Sequence, residues 1–262
     1  MTGGEYAALA GWFEQYMSGF REGGVLLPAL EIKRGHSLRT AENAALIAAG
    51  LGYGGEEELL ARAAGLLHDA GRFTQFAQHG SFRDAGTLDH GLEGRRVLEE
   101  KMPDVLKNPE EKEALLCAVS WHNRRTEDIP RDLPSGRSAL LKLVRDADKL
   151  DIFDIVLRSV EADGFRELPA MLPNIKLSRN LTPGVLAKVL NRESPASGEL
   201  STLADFLLST ASWFFDLNYL PSRRLAVERG VLRGFRRELP RGAELDRFFA
   251  EIEKVLPFLP GL

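Results

Sequence analysis

The five histidines of this 262-residue chain, His36, His68, His79, His90 and His122, all fall in its first half, and His68 is followed directly by Asp69. A lone histidine on an apolar face is ordinarily a satisfied core residue. Four of these, however, begin or end apolar stripes on different expected helices, an arrangement suited to convergence on one point. Adjacent residues on a helix differ by about 100° in direction, so His68 and Asp69 can approach one ion from neighbouring angles while other helices supply further ligands. Neutral imidazole offers nitrogen, and carboxylate offers neutralising charge and can bridge two ions. Both suit first-row divalent metals. A buried aspartate without such a partner is costly.

The elements that would carry these residues read as helices. From His36, the residues Thr40, Ala44, Ile47 and Leu51 recur at helical spacing and end at Gly50 and Gly52. A second run from about Glu56 carries Leu60, Ala64 and Leu67 to His68 and Asp69, with Gly71 as the expected terminator. The segment Arg72 to Leu88, with Gln75, His79, Phe82 and Asp84, has no sustained period and reads as a loop with a short helical turn. A further helix is expected from about Asp89 to Lys101, with Gly94 permitting close approach. Pro109 suits the first turn of a helix in which Leu115, Val119 and His122 share a face. From Ser135 to about Val160 a long helix would place Leu140, Val144 and Ala147 near Asp148. Nothing reads as a sheet. Beyond Gly164, Pro169, Pro173 and Pro183 punctuate a connector, followed by helical runs at about 183–192, 199–216, 221–237 and 242–256. The expected organisation is an all-α helical domain over 1–164 and a helical C-terminal extension over 165–262 packing on it.

The composition, 44% hydrophobic and 27% charged, places the chain among ordinary globular proteins with a core to bury. A net charge of −4 gives no general reason to bind a nucleic-acid backbone or an anionic membrane, so any phosphate recognition must be local. Cys117 is the single cysteine, which excludes an intramolecular disulfide and Cys-rich zinc motifs and fits a reducing compartment. With no leader-like N-terminus and no run of about 18 apolar residues, the expected location is cytoplasmic.

A histidine, a His-Asp pair and a distant aspartate in this order resemble the HD superfamily of metal-dependent phosphohydrolases. The matching residues are His36 in GHSLRT, His68 and Asp69 in LLHDAGRF, and Asp148 in RDADKLD. The string HDAGRFTQFAQHGSFRDAGTLDHGLEG is similar to a bacterial branch of that superfamily in which Arg72, Phe73 and the Asp89-His90 pair belong to the motif. The resemblance covers about residues 30 to 160 and implies a helical-bundle HD domain. It selects Asp148 as the last ligand over Asp146 and Asp151, which become supporting or surface acids. It also implies one or two divalent metals, iron, manganese, nickel, cobalt or zinc. In the two-metal form His36, His68 and Asp148 hold the first ion, Asp69 bridges, and His90 with His122 hold the second. In the one-metal form these last two histidines contact substrate.

The reaction the resemblance implies is hydrolysis of a phosphomonoester or phosphodiester in a small phosphorylated substrate, with a nucleotide favoured on family grounds. Two ions about 3.5 to 4 Å apart would activate a bridging hydroxide and clamp the phosphoryl oxygens. Arg39, Arg72 and Lys149 are the cations nearest along the chain for the remaining phosphate charge. His79, in the polar segment between ligand helices, is a candidate proton donor. Asp89 could orient His90 or cap its helix. Two other functions share the pattern: a di-iron oxygenase of the HD type, and a non-enzymatic nucleotide sensor. Among the C-terminal residues, Arg223, Arg224, Arg229, Arg233, Arg236 and Arg237 read as a solvated helix face, and Trp213, Phe214 and Phe215 as core. That region is open to two roles, covering the pocket or forming a homodimer surface.

Overall fold

The computed structural model describes residues 1–84, 86–172 and 174–256. Pro173, expected as a break in the connector, lies outside the described residues. The fold is all-α, as the periodicity predicts. By internal packing the chain forms two units, Met1–Asp148 and Lys149 onward.

In the first unit, α1 (Gly3–Ser18) opens with a capping box in which Thr2 and Glu5 satisfy each other's backbone amides. A two-residue antiparallel hairpin, β1 (Arg21–Glu22) and β2 (Val25–Leu26), is the departure from the expectation of no sheet. Then α2 (Pro28–Gly50) starts with proline in its first turn, where no amide proton is needed. Its buried stripe runs through Leu30, His36, Thr40, Ala44 and Ile47. A short turn leads to α3 (Gly55–Leu67). At Gly65 of α3 an added Cβ would stand 2.9 Å from the Thr40 carbonyl oxygen, so the two helices meet backbone to side-chainless backbone.

The segment expected from Arg72 to Leu88 as a loop with a short helical turn is, as far as His79, part of a helix, α4 (Ala70–His79), closed by Gly80 in the left-handed conformation (φ 61°). Gly71 does not terminate a helix. It lies in the first turn of α4, where an added Cβ would press on the His90 carbonyl and stand 2.5 Å from the Gly94 amide nitrogen. The period was concealed because α4 buries Gly71, Thr74 and Gln75 together with Phe73. Tyr16 of α1 donates to the Ala70 carbonyl at 3.2 Å and pairs with Thr74 Oγ1 at 2.8 Å, while Phe13, Tyr16 and Phe20 surround the Phe73 ring. Burial pushes the Tyr16 hydroxyl up to about 12.

Helix α5 (His90–Lys101) is capped by Asp89, which accepts from the Gly91 and Leu92 amides at 2.9 and 3.1 Å. Gly94 does allow the expected close approach, since an added Cβ would meet Val119 at 2.8 Å. Helix α6 (Pro109–Trp121) is capped by Asn108 and ends at His122. Helix α7 (Ser135–Asp163) buries Leu140, Leu141, Val144 and Ala147 within the first unit. It continues into the second unit and stops one residue before Gly164.

In the second unit α7 buries Phe153, which stacks on Phe214 at 5.0 Å and meets Phe235 edge-on at 5.7 Å. The short α8 (Leu168–Met171) and α9 (Pro183–Leu190) follow. The run expected at 199–216 divides into α10 (Leu203–Ser212) and a 3-10 turn over Trp213–Asp216. Buried Asp205 gathers this region by accepting from Thr182 N at 2.8 Å, Thr182 Oγ1 at 2.7 Å and Ser201 N at 3.1 Å. The run expected at 221–237 is two helices, α11 (Leu220–Glu228) and α12 (Val231–Glu238), because Gly230 turns left-handed between them (φ 70°). Helix α13 (Ala243–Val255) follows. Among the arginines here, Arg223 donates to the Leu217 carbonyl at 2.8 Å, Arg229 pairs with Asp154 at 3.1 Å and Arg236 with Glu253 at 3.2 Å.

Candidate metal centre

Six side chains from the first unit converge. His36 comes from the buried stripe of α2, and His68 and Asp69 from the break between α3 and α4. Asp69 leaves helical geometry there (φ −97°, ψ 16°), which separates its side chain from that of His68. His90 is the first residue of α5, His122 ends α6, and Asp148 lies on α7. Asn43 of α2 donates to the Ala147 carbonyl at 3.1 Å and so ties α2 to the turn of α7 beside Asp148.

The donor atoms form two groups joined by Asp69. In the first, His36 Nε2 is 3.2 Å from His68 Nε2, 3.0 Å from Asp148 Oδ1 and 3.6 Å from Asp69 Oδ2. His68 Nε2 is 3.7 Å from Asp69 Oδ2 and 3.6 Å from Asp148 Oδ1. In the second, Asp69 presents its other oxygen: Oδ1 is 3.5 Å from His90 Nε2 and 3.6 Å from His122 Nε2, which are 3.1 Å apart. Among the described residues, the trios His36–His68–Asp69 and Asp69–His90–His122 are groups that could hold a metal ion. Atoms bound at about 2.0–2.2 Å to a common ion are spaced over this same range.

The far sides of the rings test whether an ion fits. His68 Nδ1 faces the Gly65 carbonyl at 2.7 Å and His122 Nδ1 faces the Val119 carbonyl at 2.8 Å. His90 Nδ1 lies 2.7 Å from Asp84 Oδ2. A carbonyl or carboxylate can only accept, so each of these rings carries its proton on Nδ1 and turns a bare Nε2 lone pair inward. The bare nitrogens of His90 and His122, 3.1 Å apart, repel unless a cation lies between them. The donor set therefore fits divalent metal.

Electrostatics agree. Burial pushes His68 and His90 down, His90 to about 4 despite its bond to Asp84, so both rings are neutral near pH 7, the form in which an imidazole can bind a metal. Burial works to raise the Asp69 carboxyl, but the neighbouring cations, Lys33 first and Arg72 with it, hold it well below the usual carboxylate range. Asp148, also opposed by burial, is held low, first of all by the His36 ring 3.0 Å from its Oδ1. Both carboxylates are ionised at the centre.

Of the remaining sequence candidates, Arg72 is brought to the site, its Nε 3.6 Å from Asp69 Oδ1. Its Nη1 is engaged by Asp84 at 2.9 Å, Gln75 at 2.8 Å and the Phe82 carbonyl. Asp89 caps α5 and accepts from Asn123 at 3.0 Å; Asp84 partners His90. Asp146 and Asp151 are buried on α7, which rules out the surface alternative for both. Arg39 lies one turn after His36 on α2, and Lys149 is buried on α7 next to Asp148. His79 is not brought in. It is exposed in the last turn of α4, about 15 Å along the axis from Asp69 at 1.5 Å per residue.

Three residues escaped the sequence reading. Lys33 places Nζ 2.8 Å from Asp69 Oδ2, and its position one turn before His36 on α2 was the available signal. Asp84 accepts from His90, Arg72, Gln75 and Asn123, the last at 3.3 Å. Burial favours a raised carboxyl there, yet His90 and Arg72 hold it well below the usual range. Arg145, buried on α7, donates to the His122 carbonyl at 3.0 Å and fixes the end of α6.

Comparison with curated proteins found no match, and comparison with solved structures found none either. Residues 34–152 match the family model described as the HD domain, a span that contains all six converging side chains. That match, over somewhat less than half of the chain, and the helical cluster it encloses support a place for residues 34–152 in the HD superfamily.

Proposed function

We propose that this protein is a metal-dependent phosphohydrolase acting on a phosphomonoester or phosphodiester, with nucleotides the first substrate class to test. The observation that carries the reading is the single Asp69 carboxylate facing two sets of bare imidazole nitrogens, one through each oxygen. His36, His68, Asp148 and Asp69 Oδ2 would hold one ion, and His90, His122 and Asp69 Oδ1 the other. When bound, such a pair supplies Lewis acidity toward phosphoryl oxygens and a water of lowered pKa.

The chain's own groups supply the rest. The backbone carbonyls of Gly65 and Val119 hold His68 and His122 in the tautomer that presents Nε2. Lys33 and Arg72 flank Asp69 and keep it ionised. Lys33, freed from Asp69 by a bound ion, would reach a non-bridging phosphate oxygen from the adjacent turn of α2. Arg39 and Lys149 complete the set of cations in this reading, whereas Arg72 is committed to holding Asp84. His79 has no part in it.

The test is phosphate or nucleoside release from a panel of nucleotides and phosphodiesters with added Mn²⁺, comparing wild type with Asp69→Ala. Release by wild type and none by the variant is expected, with helical content unchanged. Full activity in the variant would refute the site. Silence from wild type, with substrate-dependent oxygen uptake by the iron-loaded protein, would replace hydrolysis by oxygenation.

A further inference from the structure

We propose that Asp84 is a positioning residue that gives the Asp69–His90–His122 position its hold on a second ion, an inference that rests on the two-ion reading above. His68 and His122 each stand just past the end of a helix and find a carbonyl three residues back, at Gly65 and Val119. Helix geometry orients those rings without outside help. His90 opens its helix, so no preceding turn offers it an acceptor. Its Nδ1 is met instead by both oxygens of Asp84, at 2.7 and 2.8 Å, from the segment before the helix.

Asp84 is in turn held from two other directions. Arg72 Nη1 and Gln75 Nε2 of α4 reach Oδ1 at 2.9 and 3.0 Å, and Asn123 Nδ2, just after α6, reaches Oδ2 at 3.3 Å. Gln75 also donates to Thr87 Oγ1 and the Leu88 carbonyl, both at 3.0 Å, which fixes the segment leading into His90. The ring of His90 is thereby referred to α4 and α6, the helices that follow Asp69 and precede His122. A carboxylate behind a ligating imidazole also makes it a stronger donor than a carbonyl does. The second position has three protein ligands against four in the first, so it depends more on the quality of each.

The experiment is titration of the full-length, metal-free protein with Mn²⁺ or Co²⁺ alone, reading ions bound per chain and the affinity of each by calorimetry and mass spectrometry. Wild type should take two ions. Asp84→Ala should keep the first within about twofold and weaken the second about 10- to 100-fold. Asp84→Asn, which retains an acceptor toward His90 without the charge, should fall between. Unchanged second-ion affinity in Asp84→Ala, equal weakening of both ions, or a wild type that binds one ion only would each overturn the proposal. Since metal uptake is read without turnover, failure to hydrolyse any substrate would leave this result standing.

Discussion

The two ends of the metal cluster are built differently from the same residue types. At the His36–His68–Asp148 end, His36 and Asp148 lie within the long helices α2 and α7, and His68 stands just past the end of α3 with its ring on the Gly65 carbonyl. The buried stripe of α2 carries His36, and Asn43 fastens that helix to α7 beside Asp148. At the His90–His122 end His122 finds the Val119 carbonyl of its own helix, but His90 opens α5 and is oriented by the side chain of Asp84, which Asn123 supports in turn. An end fixed by helix packing tolerates loss of a single polar contact. An end fixed by a side-chain network does not, because each unmatched buried partner carries its own desolvation cost.

Single-ligand substitutions give the largest expected effect. His36→Ala should empty the first position and leave uptake at the second, and His122→Ala should do the reverse, with metal content per chain as the readout. Loss of both ions in either variant would show that the ends are one cooperative unit. Gly71→Ala is expected to act next most strongly. Its methyl group has no room against α5, so stability should fall by about 1–3 kcal/mol, and second-ion affinity should drop while the first is kept. Equal loss at both positions would break the comparison.

Tyr16→Phe should have the smallest effect, since it touches only the support of α4. Two hydrogen bonds are lost, at a net cost of about 0.5–1.5 kcal/mol each. The wild-type hydroxyl titrates near 12 when folded and near 10 when unfolded. Its stabilising contribution is therefore complete below pH 10 and fades as the pH climbs through about 12. Chemical denaturation across that range should show a fall in wild type that Tyr16→Phe lacks.

Residue type and period made much of this legible. His36, His68, Asp69, His90, His122 and Asp148 lie on or at the ends of regular apolar stripes, so their convergence could be anticipated from the chain. Lys33 shares the helix of His36, but a lysine three residues before a ligand looks like any solvated charge until Asp69 is seen beside it. Asp84 was hidden for a different reason: it belongs to an irregular segment, and its role exists only after α4 and α6 have brought Arg72, Gln75 and Asn123 around it. Helix α4 itself was missed because Gly71 imitates a terminator while buried Thr74 and Gln75 interrupt the apolar count.

The crowding at Gly71 bears on how this domain can change over time. A search for reactive side chains passes over a residue that has none, yet here the missing Cβ is what lets the backbone after Asp69 lie against the start of α5. Every other amino acid adds atoms at that point. In a saturation library selected for folding, this position should therefore be among the least permissive in the domain, while exposed His79, a residue with obvious chemistry, should accept nearly anything.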